Sequence, residues 1–192
     1  MVRSLVRLLT ILVIVAAALV VLEYAELLVP VDSTDGADMA PTLAACSGRG
    51  LAEGFTYRIR DPRQGEVVAI HAARTDEGEI VPDKDARDVT LALRVVAEPG
   101  DVVVAKRDRR VYVNDVKLDD VETAPFDPVT VPNEQYFVLG DNRSSAVDSR
   151  TFGPILENTI FARVRVVFWP LRDFSFRMHT VQGAPPGEID CD

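Results

Sequence analysis

The sequence predicts a mainly β domain that follows an apolar N-terminal segment. Beyond residue 30, short β-branched runs alternate with Gly, Pro and charged residues, and helical periodicity is scarce. The chain has 192 residues, enough for one domain plus an anchor or for two small lobes that share a core. Its formal net charge of −9 argues against a nucleic-acid partner, whose phosphates it would repel.

The apolar segment spans Leu5–Leu22, and Arg7 is its single charged residue. This is about the length that crosses the hydrocarbon core of a bilayer. Arg3 and Arg7 lie at its start and two glutamates follow it, which predicts a single-pass anchor in the cell membrane with a cytoplasmic N-terminus. A cleaved signal peptide is the alternative, since residues 16–18 are alanines. The apolar run continues past these alanines, which favours the uncleaved anchor.

The remaining chain reads as strands and polar connections. Asn114-Asp115 is typical of a two-residue hairpin turn. Two stretches rich in acidic residues, Arg74–Asp88 and Asp119–Asn133, are predicted to be solvated loops, and the tail is predicted to be an extended strap. The predicted strands are Val67–Ile70, Val89–Ala97, Val102–Ala105, Val111–Val113, Val116–Leu118, Tyr136–Leu139 and Ile160–Trp169.

Cysteine and histidine are rare. Cys46 and Cys191 would form one disulfide bond in an oxidising compartment, and two free thiols are the alternative. The two histidines, His71 and His179, lie far apart and have no metal-ligand spacing. We therefore expect neither a metal nor another cofactor.

Four short stretches are more specific than the composition. In chain order they are GADMAPTL at 36–43, GEVV at 65–68, RVVAEPGD at 94–101 and GDNRSSAVDSRTFG at 140–153. Their order and spacing behind an N-terminal apolar segment resemble the type I signal peptidases, and the last stretch carries the strongest resemblance. Members of that family remove signal peptides from exported proteins with a serine nucleophile and a lysine general base. Such a lysine must be desolvated so that its pKa falls.

The resemblance implies that this chain lacks the family's chemistry. The first stretch matches from Met39, which places the nucleophile position at Asp38, and the third matches from Arg94, which places the general-base position at Leu93. The serine that orients the lysine in the family corresponds to Ala146. These three substitutions agree with one another, because an orienting hydroxyl has no purpose once the lysine is absent.

The resemblance also implies a fold and a groove. We expect residues 1–30 to form the cytoplasmic N-terminus and anchor, and residues 31–192 to form the extracytoplasmic domain. Its core would comprise 36–105 and 136–169, with a small β lobe inserted at about 106–135 and a strap at 170–192. The expected groove residues are Gly36, Met39, Pro41, Thr42 and Arg94, and the expected structural residues are Gly140, Asp141, Asn142, Arg143, Asp148, Ser149 and Arg150.

Three functional hypotheses follow. The first is a non-catalytic homologue that binds exported precursors or assists the assembly of secreted proteins such as pilins. The second is an active signal peptidase that uses an unrecognised dyad. The third is a scaffold for another membrane protein. The second hypothesis needs another nucleophile or base, and the available residues lie away from the family's catalytic positions in the sequence. The candidates are Ser33, Ser47, Lys84, His71, His179, and Asp141 or Asp148 paired with Asp38.

Overall fold

The computed structural model describes residues 2–26, 28–32, 38–40, 42, 49–87 and 89–169. Its helices are α1 (Val2–Glu26) and α2 (Ser149–Phe152). Its strands are β1 (Leu28–Asp32), β2 (Arg49–Glu53), β3 (Val67–Arg74), β4 (Ile80–Pro82), β5 (Val89–Ala97), β6 (Val102–Ala105), β7 (Val111–Val113), β8 (Val116–Lys117), β9 (Phe126–Thr130), β10 (Gln135–Leu139), β11 (Ile155–Leu156) and β12 (Ile160–Trp169).

The strands form two antiparallel sheets, which confirms the mainly β prediction. The larger sheet has the order β1-β2-β12-β3-β5-β10-β11, with β4 added beside β3. The smaller sheet has the order β8-β7-β6-β9. Its strands lie in sequence between β5 and β10, which are themselves paired in the larger sheet. The small sheet is therefore an insertion into the large one.

The large sheet is covered on both faces, which explains why its central strands read as nearly continuous apolar runs. On β3, Val68 and Ile70 belong to one buried cluster, together with Leu93 and Val95 of β5. The alternate β3 residues belong to a second cluster that contains Ala162 and Val164 of β12. The pleat sends successive side chains to opposite faces, so one strand supplies both clusters.

The turn between β7 and β8 has the predicted form. Asn114 and Asp115 have φ values of 48° and 64°, and Val113 pairs with Val116 on either side of them. Two central residues with positive φ define the type I′ turn, whose twist matches that of the flanking strands. Asn and Asp tolerate this conformation better than most residues do.

The boundary of the inserted lobe differs from our expectation. We expected Val102–Ala105 to belong to the core and the lobe to begin near Lys106. Instead β6 pairs with β7 and β9, so the second sheet begins at Val102. The physical reason is burial: Val103 and Ala105 pack in the apolar cluster of the small sheet.

Both predicted loops contain a strand, so the loop predictions are wrong in part. Within the first loop, β4 pairs with β3. Within the second, β9 pairs with β6 at the edge of the small sheet. Phe126 of β9 stacks on Phe137 at 5.6 Å between ring centroids, and this burial outweighs the turn-forming composition. An edge strand also tolerates Pro128, which has no N–H to donate.

Several predictions concern parts of the chain outside the described residues. They are the roles of Gly36 and Pro41, the disulfide between Cys46 and Cys191, and the strap at 170–192. At the other terminus, α1 ends at Glu26 and β1 begins at Leu28, slightly before the expected anchor boundary at residue 30. Among the residues that the structure describes, none of the helices is both long enough and apolar enough to cross a membrane.

His71 provides a test of the packing on the large sheet. Its ring stacks on Phe161 of β12 at 3.9 Å between centroids. Burial, and secondarily the positive charge of Arg87, lowers the pKa of His71 from its ordinary value of 6.5. Protonation therefore favours the unfolded chain, so this stabilisation is complete above about pH 6.5 and is lost as the pH falls.

We expect the free energy of unfolding to decrease as the pH is lowered from about 7.5 to about 5.5. His71→Phe keeps the stacked ring but cannot be protonated, so the decrease should be smaller in this variant. Urea unfolding of both proteins at several pH values, followed by circular dichroism, measures the difference. Parallel pH profiles would contradict this role of His71.

Candidate functional site

Three of the four sequence stretches meet at the carboxylate of Asp141. Arg94 donates two hydrogen bonds to it, from Nε to Oδ1 at 2.7 Å and from Nη2 to Oδ2 at 2.5 Å. The hydroxyl of Thr42 donates to the same Oδ2. Nη1 of Arg94 donates to the carbonyl of Gly65 at 2.7 Å, which adds the remaining stretch. One buried bidentate ion pair therefore connects all four.

The strands explain why these groups converge. Arg94 of β5 lies between Val67 of β3 and Leu139 of β10 in the sheet, and Asp141 follows two residues after Leu139. The chain thus leaves β10 directly beside the guanidinium. The Arg94 side chain is 4% exposed and that of Asp141 is 13% exposed, so the pair is largely removed from solvent.

Asp38 and Ala146 come together around Gly140. The N–H of Asn142 donates to the carbonyl of Asp38 at 3.0 Å. A Cβ atom on Gly140 would lie 2.5 Å from that same carbonyl oxygen and 2.3 Å from the Cβ of Ala146. Only glycine allows this approach, so the fourth stretch requires glycine at this position.

Leu93, at the predicted general-base position, has a fully buried side chain. It packs in the apolar cluster that includes Val138 and Ile160. Because Arg94 pairs with Leu139, Leu93 and Gly140 occupy neighbouring positions where the β5–β10 ladder ends. Asp38, Leu93 and Ala146 therefore lie near one another at this end of β10. That they stand in for catalytic residues stays a prediction.

The residues that we expected along a peptide groove have structural contacts. Met39 is buried in the second core cluster with Ala69 and Val164. Arg94 is buried in its ion pair, and the Thr42 hydroxyl is engaged by Asp141. Met39 and Arg94 are buried, whereas Asp38 and Thr42 are half-buried.

Arg143 and Arg150 of the fourth stretch form hydrogen bonds both within that stretch and with the inserted lobe. Arg150 binds both carboxylate oxygens of Asp148, at 2.8 and 2.7 Å, and the carbonyl of Arg143 at 2.5 Å. Asp148 also caps α2 through the N–H of Arg150 and accepts the N–H of Gly140 at 3.0 Å. Asp148 and Arg150 thus make the internal bonds that we expected.

The sequence analysis missed the partners that come from the inserted lobe. Asp119 accepts a hydrogen bond from Nη2 of Arg143 at 2.6 Å, and Thr123 accepts one from Nη1 of Arg150 at 3.0 Å. Both residues were assigned to a solvated loop. No pattern of residue spacing predicts such pairs, because the partners lie more than twenty residues apart in the chain.

Hydroxyl groups near the site are engaged in structural hydrogen bonds. Ser144 donates to Oδ1 of Asn142 at 2.6 Å, and buried Ser149 accepts the N–H of Val138 at 3.0 Å. An activated serine needs a base within hydrogen-bond distance. The hydrogen-bond partners of these two hydroxyls, a backbone N–H and an amide oxygen, are not bases. Within the described residues, His, Cys, Asp and Glu form no cluster suited to a metal ion.

Comparison with known proteins agrees with the arrangement of these stretches. The family model described as "Signal peptidase, peptidase S26" matches residues 2–169. The chain therefore belongs to the signal peptidase family.

Two relatives in sequence point the same way. The chain is 35% identical to a probable signal peptidase I-2 of Synechocystis sp., over 69% of this chain and 60% of that protein. It is 31% identical to signal peptidase IB of Staphylococcus aureus, over 75% of this chain and 80% of that protein. A solved signal peptidase I of Enterococcus faecalis V583 aligns with a TM-score of 0.42 and 26% identity, covering 55% of this chain and 97% of that one.

We expect Asp141→Leu to lower the free energy of unfolding by about 3–5 kcal/mol, since it leaves the Arg94 charge buried without its partner. The double variant Arg94→Met with Asp141→Leu should lose much less than the sum of the two single changes, because it buries no unpaired charge. Urea unfolding of the wild type, the two single variants and the double variant measures the coupling free energy.

The control is Asp85→Asn, which removes an exposed ion-pair partner of Lys84. It should leave the free energy of unfolding unchanged. Additive single changes would contradict the coupling.

Proposed function

We propose that this chain is a non-catalytic, membrane-anchored homologue of signal peptidase I that binds exported precursor peptides or assists the assembly of secreted proteins such as pilins. The observation that carries the proposal is the set of residues around Gly140. Aspartate, leucine and alanine occupy the positions at which the family's serine, lysine and orienting serine are expected. The framework that surrounds them, from Thr42 through Arg94 to Asp141, is intact.

The chemistry of the substituted positions supports the proposal. A leucine cannot accept a proton, and the full burial of Leu93 leaves no space there for a water molecule to replace the amine. Asp38 has no hydroxyl to attack a peptide bond. A serine protease mechanism requires both a nucleophile and a base at these positions. The presence of the framework residues without these two groups therefore favours peptide binding over cleavage.

An active signal peptidase with a different dyad is the second candidate. The names of the matched relatives, which are signal peptidases I, favour it. The environments of the replacement groups argue against it. Asp141 and Asp148 each have both carboxylate oxygens engaged by an arginine, so they serve structural ion pairs. Lys84 is exposed and paired with its neighbour Asp85. Ser33, Ser47 and His179 lie outside the described residues, and His71 stacks on Phe161.

The membrane location rests on the N-terminal segment. The sequence from Leu5 to Leu22 is apolar apart from Arg7. Apolar side chains of α1 are exposed all around the helix, among them Ile11, Val13 and Leu19. A bilayer would remove these side chains from water. The positive charges at the start of the segment favour a cytoplasmic N-terminus and an extracytoplasmic domain.

We expect the wild-type protein not to cleave a signal peptide, and Asp38→Ser alone not to restore cleavage. Asp38→Ser with Leu93→Lys should give weak cleavage after an Ala-x-Ala sequence, and adding Ala146→Ser should increase it, since the serine can orient the lysine. A fluorogenic signal-peptide substrate, with protein purified from cells and host peptidase activity excluded, measures this. Buried Leu93→Lys also places an amine in an apolar cluster, which should lower its pKa.

The same assay decides between the two candidates. Cleavage by the wild-type protein that survives Asp38→Ala would establish an unrecognised nucleophile. Cleavage that is abolished by Asp38→Ala would make the aspartate itself catalytic. A crosslinkable signal peptide distinguishes binding from a silent site: the proposal expects wild-type protein to be labelled near Asp38 and Ala146, and no labelling would contradict peptide binding there.

A further inference from the structure

The connection that follows β2 exposes apolar side chains. β2 ends at Glu53, and a short 3₁₀ turn spans Thr56–Arg58. Phe55, directly before this turn, is 42% exposed, and Ile59, directly after it, is 70% exposed. Residues four apart lie on the same face of a helical turn, so these two apolar side chains face solvent together. We call residues 55–59 the tip.

Polar contacts fix the inner side of the tip. Thr56 is buried, and its backbone N–H and its hydroxyl donate to the two carboxylate oxygens of Glu53 at 3.0 and 2.5 Å. The hydroxyl of Tyr57 donates to Glu66 at 3.1 Å. The polar groups of the turn are therefore directed towards the protein, and the apolar groups on either side of them are directed away from it.

The tip and the residues after it are basic in an acidic protein. Residues 54–63 contain three arginines and one acidic residue, Asp61, whereas the whole chain has a formal net charge of −9. Arg60 is in an ion pair. Arg58 and Arg63 are exposed, and within the described part of the chain their side chains form neither an ion pair nor a hydrogen bond. Exposed apolar groups beside cationic groups are typical of segments that lie at the surface of an anionic membrane.

The topology places the tip beside the proposed anchor. α1 ends at Glu26, and Leu28 of β1 pairs with Glu53 of β2 in an antiparallel ladder. α1 and the tip therefore leave this ladder at the same end. Leu28 lies two residues after Glu26, and Phe55 lies two residues after Glu53. The end of α1 and the start of the tip are consequently at most about 20 Å apart.

We propose that the tip inserts Phe55 and Ile59 into the surface of a bilayer that contains anionic lipids, and that Arg58 and Arg63 bind the lipid headgroups. This inference rests on the proposed membrane anchor. Because the anchor already holds the domain at the bilayer, the tip needs only a weak affinity of its own. Anchor and tip together would give the large sheet two points of attachment and a fixed orientation relative to the membrane.

The test places one tryptophan at a time in the full chain, which is reconstituted in vesicles of phosphatidylcholine and phosphatidylglycerol. Trp169, the single native tryptophan, is first replaced by phenylalanine. Lipids with brominated acyl chains quench tryptophan fluorescence on contact. We expect them to reduce the fluorescence of Ile59→Trp about twofold or more relative to unbrominated vesicles, since the tip would lie at the boundary between headgroups and acyl chains.

The matched control is Val116→Trp. Val116 is 71% exposed, as Ile59 is, but it lies on an edge strand of the small sheet. Its tryptophan should keep its fluorescence in brominated vesicles. Equal quenching of the two variants would overturn the proposal, since it would show adsorption of the whole domain in no fixed orientation.

The headgroup contact is tested by adding Arg58→Gln and Arg63→Gln to Ile59→Trp. Most of the quenching should be lost, because each arginine is attracted to the anionic surface. Adding Arg87→Gln and Arg107→Gln instead removes two exposed arginines elsewhere and should leave the quenching unchanged. Circular dichroism confirms that the variants are folded. The same result for the two pairs of substitutions would overturn the headgroup contact.

A tryptophan on α1 separates this inference from the anchor on which it rests. Ile14→Trp replaces an exposed residue of that helix and should be quenched. Quenching of Ile14→Trp without quenching of Ile59→Trp would overturn the tip contact and leave the anchor in place. Absence of quenching in Ile14→Trp would overturn the anchor, and the tip contact with it.

Discussion

The rest of the site depends on the buried ion pair between Arg94 and Asp141. Removing two charges from water is costly, and only complete hydrogen bonding repays that cost. Here the Arg94 guanidinium donates two hydrogen bonds to Asp141 and one to the carbonyl of Gly65, and the Thr42 hydroxyl donates to the same carboxylate. Because the partners come from four separate stretches, the pair fixes the ends of β3, β5 and β10 and the turn that contains Asp38 relative to one another.

The ion pair constrains the residues of the site to different degrees. Loss of either Arg94 or Asp141 would leave a buried charge and threaten the fold, so these residues are required whatever the protein does. Gly140 is equally constrained, because the carbonyl of Asp38 and the side chain of Ala146 leave no space for a Cβ atom. Leu93 and Ala146 are uncharged, so neither is part of such an ion pair. Leu93 even completes an apolar cluster in which a lysine would be poorly solvated.

The inserted sheet is coupled to the site by polar contacts. Arg143 donates a hydrogen bond to Asp119, and Arg150 donates one to Thr123. Gly140 and Ala146 belong to the same stretch as these two arginines. The two arginines therefore hold the loop from both sides.

The sequence by itself determined the family, the mainly β character, most strands and the Asn114-Asp115 turn, since each of these is encoded by neighbouring residues. It also predicted that Asp38, Leu93 and Ala146 belong to one site, and in the structure all three lie close to Gly140. Only the tertiary structure decided that β6 belongs to the small sheet, that two polar stretches contain β4 and β9, and that Asp119 and Thr123 bind the arginines. The physical reason is that pairing and burial depend on partners far away in the chain. Phe126 becomes part of a strand because Phe137 covers it, and nothing within a few residues of Phe126 specifies that contact.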